Sequence, residues 1–564
     1  MKRFRGFRQR IRSSPYAGSR SRIWGWLPVV LCAASCGSSE GTTLPPARLH
    51  FTDVTASTGI DFVTTFGQEP ATQILEVKGG GLALLDYDGD GDLDIFVPNG
   101  ATMAKPEEGP GCRLFENQGG LRFRDSTKAA KLQLTRWGAG VTAADYDGDG
   151  HVDLYVACFG SNALLRNLGN GSFEDVTEQA GVAGQSWSIA AAFGDLDGDG
   201  DLDLFVTNYI DFDIAHPPAP SSFKGAPVFT GPMGLIPAAD DVYENIGHGR
   251  FRKRGPETGL EAQPPAFGLG TLILDFDRDG HQDIFVGNDS MGNQLFLGRG
   301  DWTFKEVAKT NGLGVNVYGS AQSTMGIAIG DVNGNGFPDV FTSNFSNDTN
   351  TLHINREGRF YDDVTARFGL GMVAFPYVGW ASGFYDFDLD GDEDLMVFNG
   401  HVYPNATCEV MDAEFKEPAL LYRKGQERFS LVNAMEGGDW LESLHCDRGA
   451  AFGDLDGDGD VDVVVLELNG PLRVLRNDAL QRNWLAVELE GAALGSRVRV
   501  SDGAQTQSRW IASGGSFASS SETAAHFGFE APCESVRVEV LWPNGKTSVF
   551  PKVPTNQRLR ASSD

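Results

Sequence analysis

The chain has 564 residues, 41% of them apolar and 22% charged, proportions ordinary for a globular protein and too apolar for wholesale disorder. Acidic residues outnumber basic ones by 76 to 46, a formal net charge of −30, which argues against nucleic acid and anionic lipid surfaces as partners. Glycine contributes 72 residues, a signal of many turns.

The charge is unevenly placed. Lys2, Arg3, Arg5, Arg8, Arg10, Arg12, Arg20 and Arg22 precede the first acid, and an apolar segment over Ile23–Ser35 follows. That segment is shorter than the roughly 20 residues a membrane-spanning helix needs, so residues 1–35 read as an export signal. Small residues directly before Cys36 resemble a bacterial lipoprotein box, with Cys36 as the lipidated first residue of the mature protein. The alternative is ordinary secretion with cleavage nearby. Residues 36–50, rich in Gly, Ser, Thr and Pro, form a flexible tether. The predicted location is an outer-membrane or cell-surface lipoprotein, otherwise a periplasmic or secreted protein.

Seven nine-residue segments then repeat one pattern, with oxygen-bearing side chains at alternate positions and glycines between. The first is Asp86, Asp88, Asp90, Asp92 and Asp94; the second is Asp145, Asp147, Asp149, His151 and Asp153. The third is Asp195, Asp197, Asp199, Asp201 and Asp203; the fourth is Asp275, Asp277, Asp279, His281 and Asp283. The fifth, Asp331, Asn333, Asn335, Phe337 and Asp339, is degenerate. The sixth is Asp386, Asp388, Asp390, Asp392 and Asp394, and the seventh Asp454, Asp456, Asp458, Asp460 and Asp462. Like charge this dense repels itself unless a hard cation gathers it, and calcium takes six to eight oxygen ligands. Positions 1, 3, 5 and 9 supply side chains and position 7 a backbone carbonyl, which is why His151, His281 and Phe337 are tolerated there. Up to seven calcium ions are predicted. The fifth site, with two carboxylates, is the weakest, because affinity follows ligand charge and rigidity.

An apolar run such as Leu204-Phe-Val-Thr-Asn208 follows each loop and reads as a buried strand. Loop starts are separated by 59, 50, 80, 56, 55 and 68 residues, which suits a four-stranded propeller blade with insertions. A second element recurs between loops: Phe51-Thr-Asp-Val-Thr55, Phe123-Arg-Asp-Ser-Thr127, Phe173-Glu-Asp-Val-Thr177 and Phe360-Tyr-Asp-Asp-Val-Thr365. Most copies follow a glycine turn such as Gly169-Asn-Gly171, so each is the last strand of a blade. No such strand follows the seventh loop, whereas Phe51–Thr55 stands before the first. The predicted fold is all-β: a seven-bladed β-propeller over 51–480, closed by strand 51–55, followed by a separate small β domain over 481–564.

Two excursions interrupt the repeat. Asp211–Asp241 carries Pro217, Pro218, Pro220, Pro227, Pro232 and Pro237 and is expected to be a surface loop over one face of the ring. The second lies near Asn399-Gly-His-Val-Tyr-Pro404. Of the cysteines, Cys32 leaves with the signal, Cys158 sits in an apolar strand, and Cys408 and Cys446 share one inter-loop segment and are the candidate pair. No cysteine or histidine spacing suggests zinc.

The aspartate loops resemble the FG-GAP/VCBS repeats of calcium-binding propellers, including those of integrin α-chains. The tail, with Asn483-Trp-Leu485, Arg497-Val-Arg-Val500, His526-Phe-Gly528 and Trp542-Pro-Asn-Gly545, resembles the ASPIC/UnbV domain. Met325-Gly-Ile-Ala-Ile-Gly-Asp331 and Val378-Gly-Trp-Ala-Ser-Gly-Phe384 resemble the bacterial relatives of the cartilage acidic protein family. The resemblance covers residues 51–560 and implies an extracellular binding or matrix role. Relatives often carry Cys-Gly-Pro in the proline-rich insertion; Thr230-Gly-Pro232 stands here, which removes a disulfide anchor.

No nucleophile elbow, zinc-protease or phosphate-loop motif is present, and no catalytic residue is assigned. His401 and His445, near Glu409, Asp412, Glu442 and Asp447, could line a site but are more simply loop or core residues. Arg299-Gly-Asp301 occupies a hairpin-turn slot rather than an adhesive loop. The expected function is a non-enzymatic binding, adhesion or scaffold role toward an extracellular protein or polysaccharide. A calcium-dependent, lyase-like carbohydrate-active enzyme on the same propeller is the alternative.

Overall fold

Each acidic loop is flanked by two antiparallel strands, and the stacking of those pairs builds the molecule. The computed structural model describes residues 49–407, 411, 413–479, 482–491 and 493–563. The export signal, Cys36, Cys408, Glu409 and Asp412 therefore lie outside the described residues. Within them no helix is long and apolar enough to cross a membrane.

Seven antiparallel sheets, their strands running from inner to outer, follow the loops; six have four strands, and the fourth gains a fifth at its inner edge from Ser513–Gly514. Their innermost strands are Ala83–Leu85, Gly138–Ala144, Ser188–Gly194, Gly268–Leu274, Ile327–Gly330, Gly379–Tyr385 and Asp447–Gly453. Each innermost strand touches the next, and the last touches the first, so the sheets form a ring of blades. Phe51–Asp53 pairs with Leu472–Asn477 as the outer strand of the seventh blade, with Phe51 opposite Asn477. The first and last strands of the propeller thus share one sheet, which gives the seventh blade its fourth strand and closes the ring.

The outer strands end earlier than the Phe-x-Asp-Val-Thr pattern suggests. Phe51–Asp53 and Phe173–Asp175 each give way to a single helical turn, Thr55–Thr58 and Thr177–Ala180. The cause is local. Asp53 Oδ1 accepts the Thr55 N–H at 3.0 Å and Asp175 Oδ1 the Thr177 N–H at 3.1 Å, an Asx turn that bends the chain out of the sheet. The threonine hydroxyl is then free to accept the strand N–H of Val474 at 2.9 Å or Leu164 at 2.8 Å.

The proline-rich excursion is not wholly irregular. Ser221–Phe223 pairs with Ala226–Val228 as a two-stranded ribbon; Pro227 is accommodated because a ribbon has two free edges. Thr230 Oγ1 donates to the Ala219 carbonyl at 2.7 Å and ties the base of the excursion.

The tail belongs to the same compact unit as the ring. Asn483–Leu489 pairs with Ala525–Phe529 and, in parallel, with Gln557–Ala561, while Arg497–Ser501 centres a four-stranded sheet. Between them, Ser513–Glu522 runs into the middle of the ring. Ser520 exchanges backbone hydrogen bonds with Leu82 and Leu84, both at 2.9 Å, and the Ala518 carbonyl accepts the Val141 N–H at 3.0 Å. Ser513 Oγ accepts the Phe193 N–H at 2.9 Å, and Gly515 N–H donates to Thr271 O at 2.9 Å. The Ser516 carbonyl accepts from Ile327 at 2.8 Å, and its hydroxyl donates to Ala450 O at 2.8 Å. Phe517 meets Trp380 edge-on at 4.7 Å. One ten-residue segment therefore contacts all seven blades. The inner strands are glycine-rich because of it: a Cβ on Gly81 would lie 1.8 Å from the Ala518 carbonyl oxygen.

Candidate metal centres

All seven acidic segments are the turns between first and second strands, so all lie on one face of the ring. Their conformation is set by the aspartate at position 1. Asp86 Oδ1 accepts the Gly89 N–H at 2.7 Å and Oδ2 the Gly91 N–H at 2.9 Å. The same bonds recur from Asp195 to Gly198 and Gly200, at 2.7 and 3.0 Å. The two glycines hold positive φ, +80° and +97° in the third loop, which other residues adopt only with strain. Coiled this way, Asp86, Asp88 and Asp90 bring ligand oxygens within 4.8 Å of one another, as do Asp145, Asp147 and Asp153. Asp195, Asp197 and Asp199, then Asp275, Asp277 and Asp279, and Asp386, Asp388 and Asp390 do likewise.

Position 9 opens the second strand and is buried in every loop. It does two jobs at once. Asp203 Oδ2 accepts the Leu196 N–H at 2.9 Å, closing its own loop, and Oδ1 accepts the Asn245 N–H at 2.8 Å from the third strand. Burial pushes the Asp94 and Asp153 carboxyls up to about 8 and Asp203 to about 9. A bound cation would offset that desolvation, since an adjacent positive charge favours the ionised form. Among the described residues, Asp147, Asp331, Asp388, Asp394, Asp456 and Asp460 each bury one carboxylate oxygen with no hydrogen-bond partner. Buried acceptors are rarely left so. The donor set, hard oxygens and carboxylates, fits calcium; these positions would hold it, and the ion would supply rigidity to the turn.

The loops are unequal. In the fifth, Asn333 turns its amide toward Asp339, 3.2 Å from Oδ2, and Asn335 Nδ2 donates to Asn355 O at 3.0 Å. That loop is closed by its own hydrogen bonds. In the sixth, Arg423 Nε reaches Asp388 Oδ2 at 3.1 Å.

Two further features of the ring are not among the expected site residues. Asn117, Asn167, Asn245, Asn355 and Asn477 end the third strands, and each Nδ2 donates to a position-2 carbonyl of the preceding blade: Leu455, Tyr87, Tyr146, Phe276 and Phe387, at 2.8–2.9 Å. They clasp blade to blade, the Asn117–Leu455 bond joining the first to the seventh. Asparagine at a fixed distance before the glycine turn, as in Leu165-Arg-Asn167, is the available signal. Gly298 and Lys424 take the slot in the fourth and sixth blades.

At the ring axis the structure gathers Lys78, Tyr209, Asp289, Trp380 and Arg448 from five blades. Lys78 Nζ lies 3.1 Å from Asp289 Oδ2 and 4.5 Å over the Tyr209 ring; Tyr209 OH donates to the same carboxylate at 2.6 Å. Burial opposes ionisation of Asp289, but Lys78 and Tyr209 outweigh it and hold the carboxyl below its usual range. Arg448 stacks 4.1 Å over Trp380 and donates to the carbonyls of Val77, Gly400, Asp447 and His401. His401 is buried beside it, while His445 lies on the rim at 3.2 Å from Glu467; the two histidines do not share a site. Cys446 is a buried thiol whose Sγ lies 3.4 Å from the His401 carbonyl.

On the opposite face, the base of the proline-rich excursion and the segment Arg254–Ala266 enclose a cleft of about 770 Å³. Phe159, Trp187 and Phe212 form one wall, with ring centroids 5.8–6.3 Å apart in edge-to-face contact. Gln185, Asp240 and Gln294 supply polar groups; Asp240 Oδ1 accepts the Asn208 N–H at 2.8 Å, and burial raises this carboxyl to about 8.

The family model described as ASPIC and UnbV matches residues 487–564, and the FG-GAP-like repeat model matches 86–156, 145–206 and 275–342. The chain is an FG-GAP-like repeat protein with a C-terminal ASPIC and UnbV domain. It is 27% identical over 333 residues to cartilage acidic protein 1 of Xenopus tropicalis, covering 56% of this chain and 48% of that protein. The figures for the Homo sapiens protein of that name are 28% over 338 residues, 56% and 47%. The FG-GAP-like chain thus spans about half the length of these relatives. Among solved structures, an Agrocybe aegerita lectin specific for non-reducing terminal N-acetylglucosamine aligns with a TM-score of 0.39 at 14% identity, covering 71% of this chain and 94% of that one. BBS1N, solved in complex with ARL6DN, aligns with a TM-score of 0.35 at 10% identity, covering 76% and 96%.

Proposed function

We propose that the FG-GAP-like ring is an exported, calcium-stiffened scaffold that binds an extracellular polysaccharide or protein without turning it over, anchored through Cys36 or released. The observation that carries the binding role is the cleft beneath the proline-rich excursion. Its volume falls within the roughly 300–1,000 Å³ of ligand pockets; it joins an aromatic wall to amide and carboxyl groups that match sugar hydroxyls or peptide amides. Acidic groups predominate around it, which favours a neutral polymer over an anionic one. The calcium loops, on the other face, hold the blades that frame the cleft.

The experiment is a glycan array probed with the full chain in calcium, scored for both retention and cleavage. The account expects retention of a neutral glycan that is lost in Asp240→Ala and Gln294→Ala. Release of shortened glycan would overturn the non-enzymatic reading, and undiminished retention by both variants would overturn the assignment of the cleft.

A further inference from the structure

We infer that the metal loops form two classes, and that the C-terminal domain is the lid of the tight one, sealing the sixth and seventh loops. This rests on the calcium occupancy proposed above. In the first four loops the position-5 aspartates, Asp90, Asp149, Asp199 and Asp279, are exposed to solvent. The sixth and seventh differ. Asp386, Asp388 and Asp394 are 1–2% exposed, Asp454 is 4% and Asp460 is 1% exposed, and of the six acidic-loop carboxylate oxygens without a partner among the described residues, four belong to these two loops.

Arg423 of the sixth blade lies against Asp388 at 3.1 Å, and the other covering atoms come from the tail. Gly528 N–H donates to Asp386 Oδ2 at 3.0 Å, and the Gly528 carbonyl accepts Gln507 Nε2 at 2.8 Å. Only glycine fits there, since a Cβ on residue 528 would lie 2.4 Å from the Asp386 carboxylate. Over the seventh loop, the Trp484 indole presses on Gly459, whose Cβ would sit 1.9 Å from the ring. Glu522 accepts the Asp454 N–H at 3.0 Å, and Arg558 stands 3.8 Å from Asp454 while also binding Glu522. The tail reaches the first loop through Arg560 near Gly91 and the fifth through Arg497 at Gly336 O and Ser508 at the Asp331 carboxylate, but leaves their position-3 and position-5 side chains exposed.

Two consequences follow from this cover. An ion held where water is excluded feels its carboxylates through a lower effective dielectric and through ligands fixed by their neighbours, so it binds more tightly. It can also leave only when the tail lifts, and the tail is pinned by Ser513–Glu522 in the ring. Linkage makes the effect mutual: calcium in the sixth and seventh loops holds the tail down.

The test follows calcium release from the full, calcium-loaded chain after mixing with excess fluorescent chelator. Two phases are expected, the slow one slower by about tenfold or more because it waits on local opening. Asp388→Asn/Asp456→Asn, which removes the position-3 carboxylate of both loops, should abolish the slow phase, keep the fast one, and raise amide exchange in Asn483–Leu489 and Ala525–Phe529. Asp90→Asn/Asp199→Asn should diminish only the fast phase. Release in a single phase, a slow phase that survives Asp388→Asn/Asp456→Asn, or its loss in Asp90→Asn/Asp199→Asn would overturn the two-class arrangement. Absence of bound calcium at equilibrium would instead overturn the calcium reading on which it rests.

Discussion

Phe517 is the residue whose loss should be felt furthest. Its side chain is wholly buried, it meets Trp380 at 4.7 Å, and it belongs to the segment that hydrogen-bonds or packs against every blade. Phe517→Ala removes a buried ring and leaves a cavity at the axis, a change that costs about 3–5 kcal/mol. The inner strands cannot collapse to fill it, because each is held in its own sheet. Set against a typical total stability of about 5–15 kcal/mol, the loss is large. The assay is urea unfolding of the full chain in calcium, followed by circular dichroism, with amide exchange read separately on the ring and tail. The midpoint should fall while the slope is unchanged, with ring and tail losing protection together. A loss below about 1 kcal/mol, or a tail that unfolds at its own midpoint with the ring intact, would refute the claim that the tail is part of the propeller's core.

Three further outcomes are expected. Asn477→Ala, which frees the Phe387 and Val461 carbonyls, should lower stability by about 1–3 kcal/mol in the same urea assay. Lys78→Met should cost about 3–5 kcal/mol by leaving Asp289 buried and unpaired, and Lys78→Met/Asp289→Leu should recover most of it; if the double variant is as unstable as the single one, the pair is more than a strut. Burial pushes His401 down to about 4 from 6.5, so between those values the unfolded chain holds a proton that the folded chain does not. Its contribution is therefore complete above pH 6.5 and falls by about 3 kcal/mol as the pH drops to 4; His401→Asn should flatten that part of the stability–pH profile, and an unchanged slope would contradict it.

The ring was legible in the sequence because its signals are local and repeated. An aspartate loop, an apolar run and a glycine turn each specify their own piece of backbone, and seven copies set the blade. The detached Phe51–Thr55 pattern points to the strand that pairs with Leu472–Asn477, although only Phe51–Asp53 stays in the sheet, since Asp53 captures the Thr55 N–H. What escaped was long-range. Ser513-Gly-Gly-Ser-Phe-Ala-Ser-Ser-Ser521 has the composition of a linker, with no apolar periodicity, because its work is done by backbone groups and hydroxyls facing seven different strands. The clasp asparagines look like ordinary turn residues until the neighbouring blade is in place. Lys78 and Asp289 stand 211 residues apart, so nothing in either neighbourhood marks the pair. Of the metal loops, composition marks the fifth as carrying the fewest carboxylates, yet the five aspartates of the third and sixth look alike in sequence and differ in what Arg423 and the tail lay over them.

The central claim is that cations gathered by the acidic loops hold the ring together. Its most direct test is the melting temperature of the full chain in calcium and again in excess chelator. Each occupied site contributes about 2.7 kcal/mol at a free calcium concentration 100 times its dissociation constant, so removing several should lower the transition steeply and restoring calcium should recover it. A melting temperature that is the same in calcium and in chelator would contradict the account.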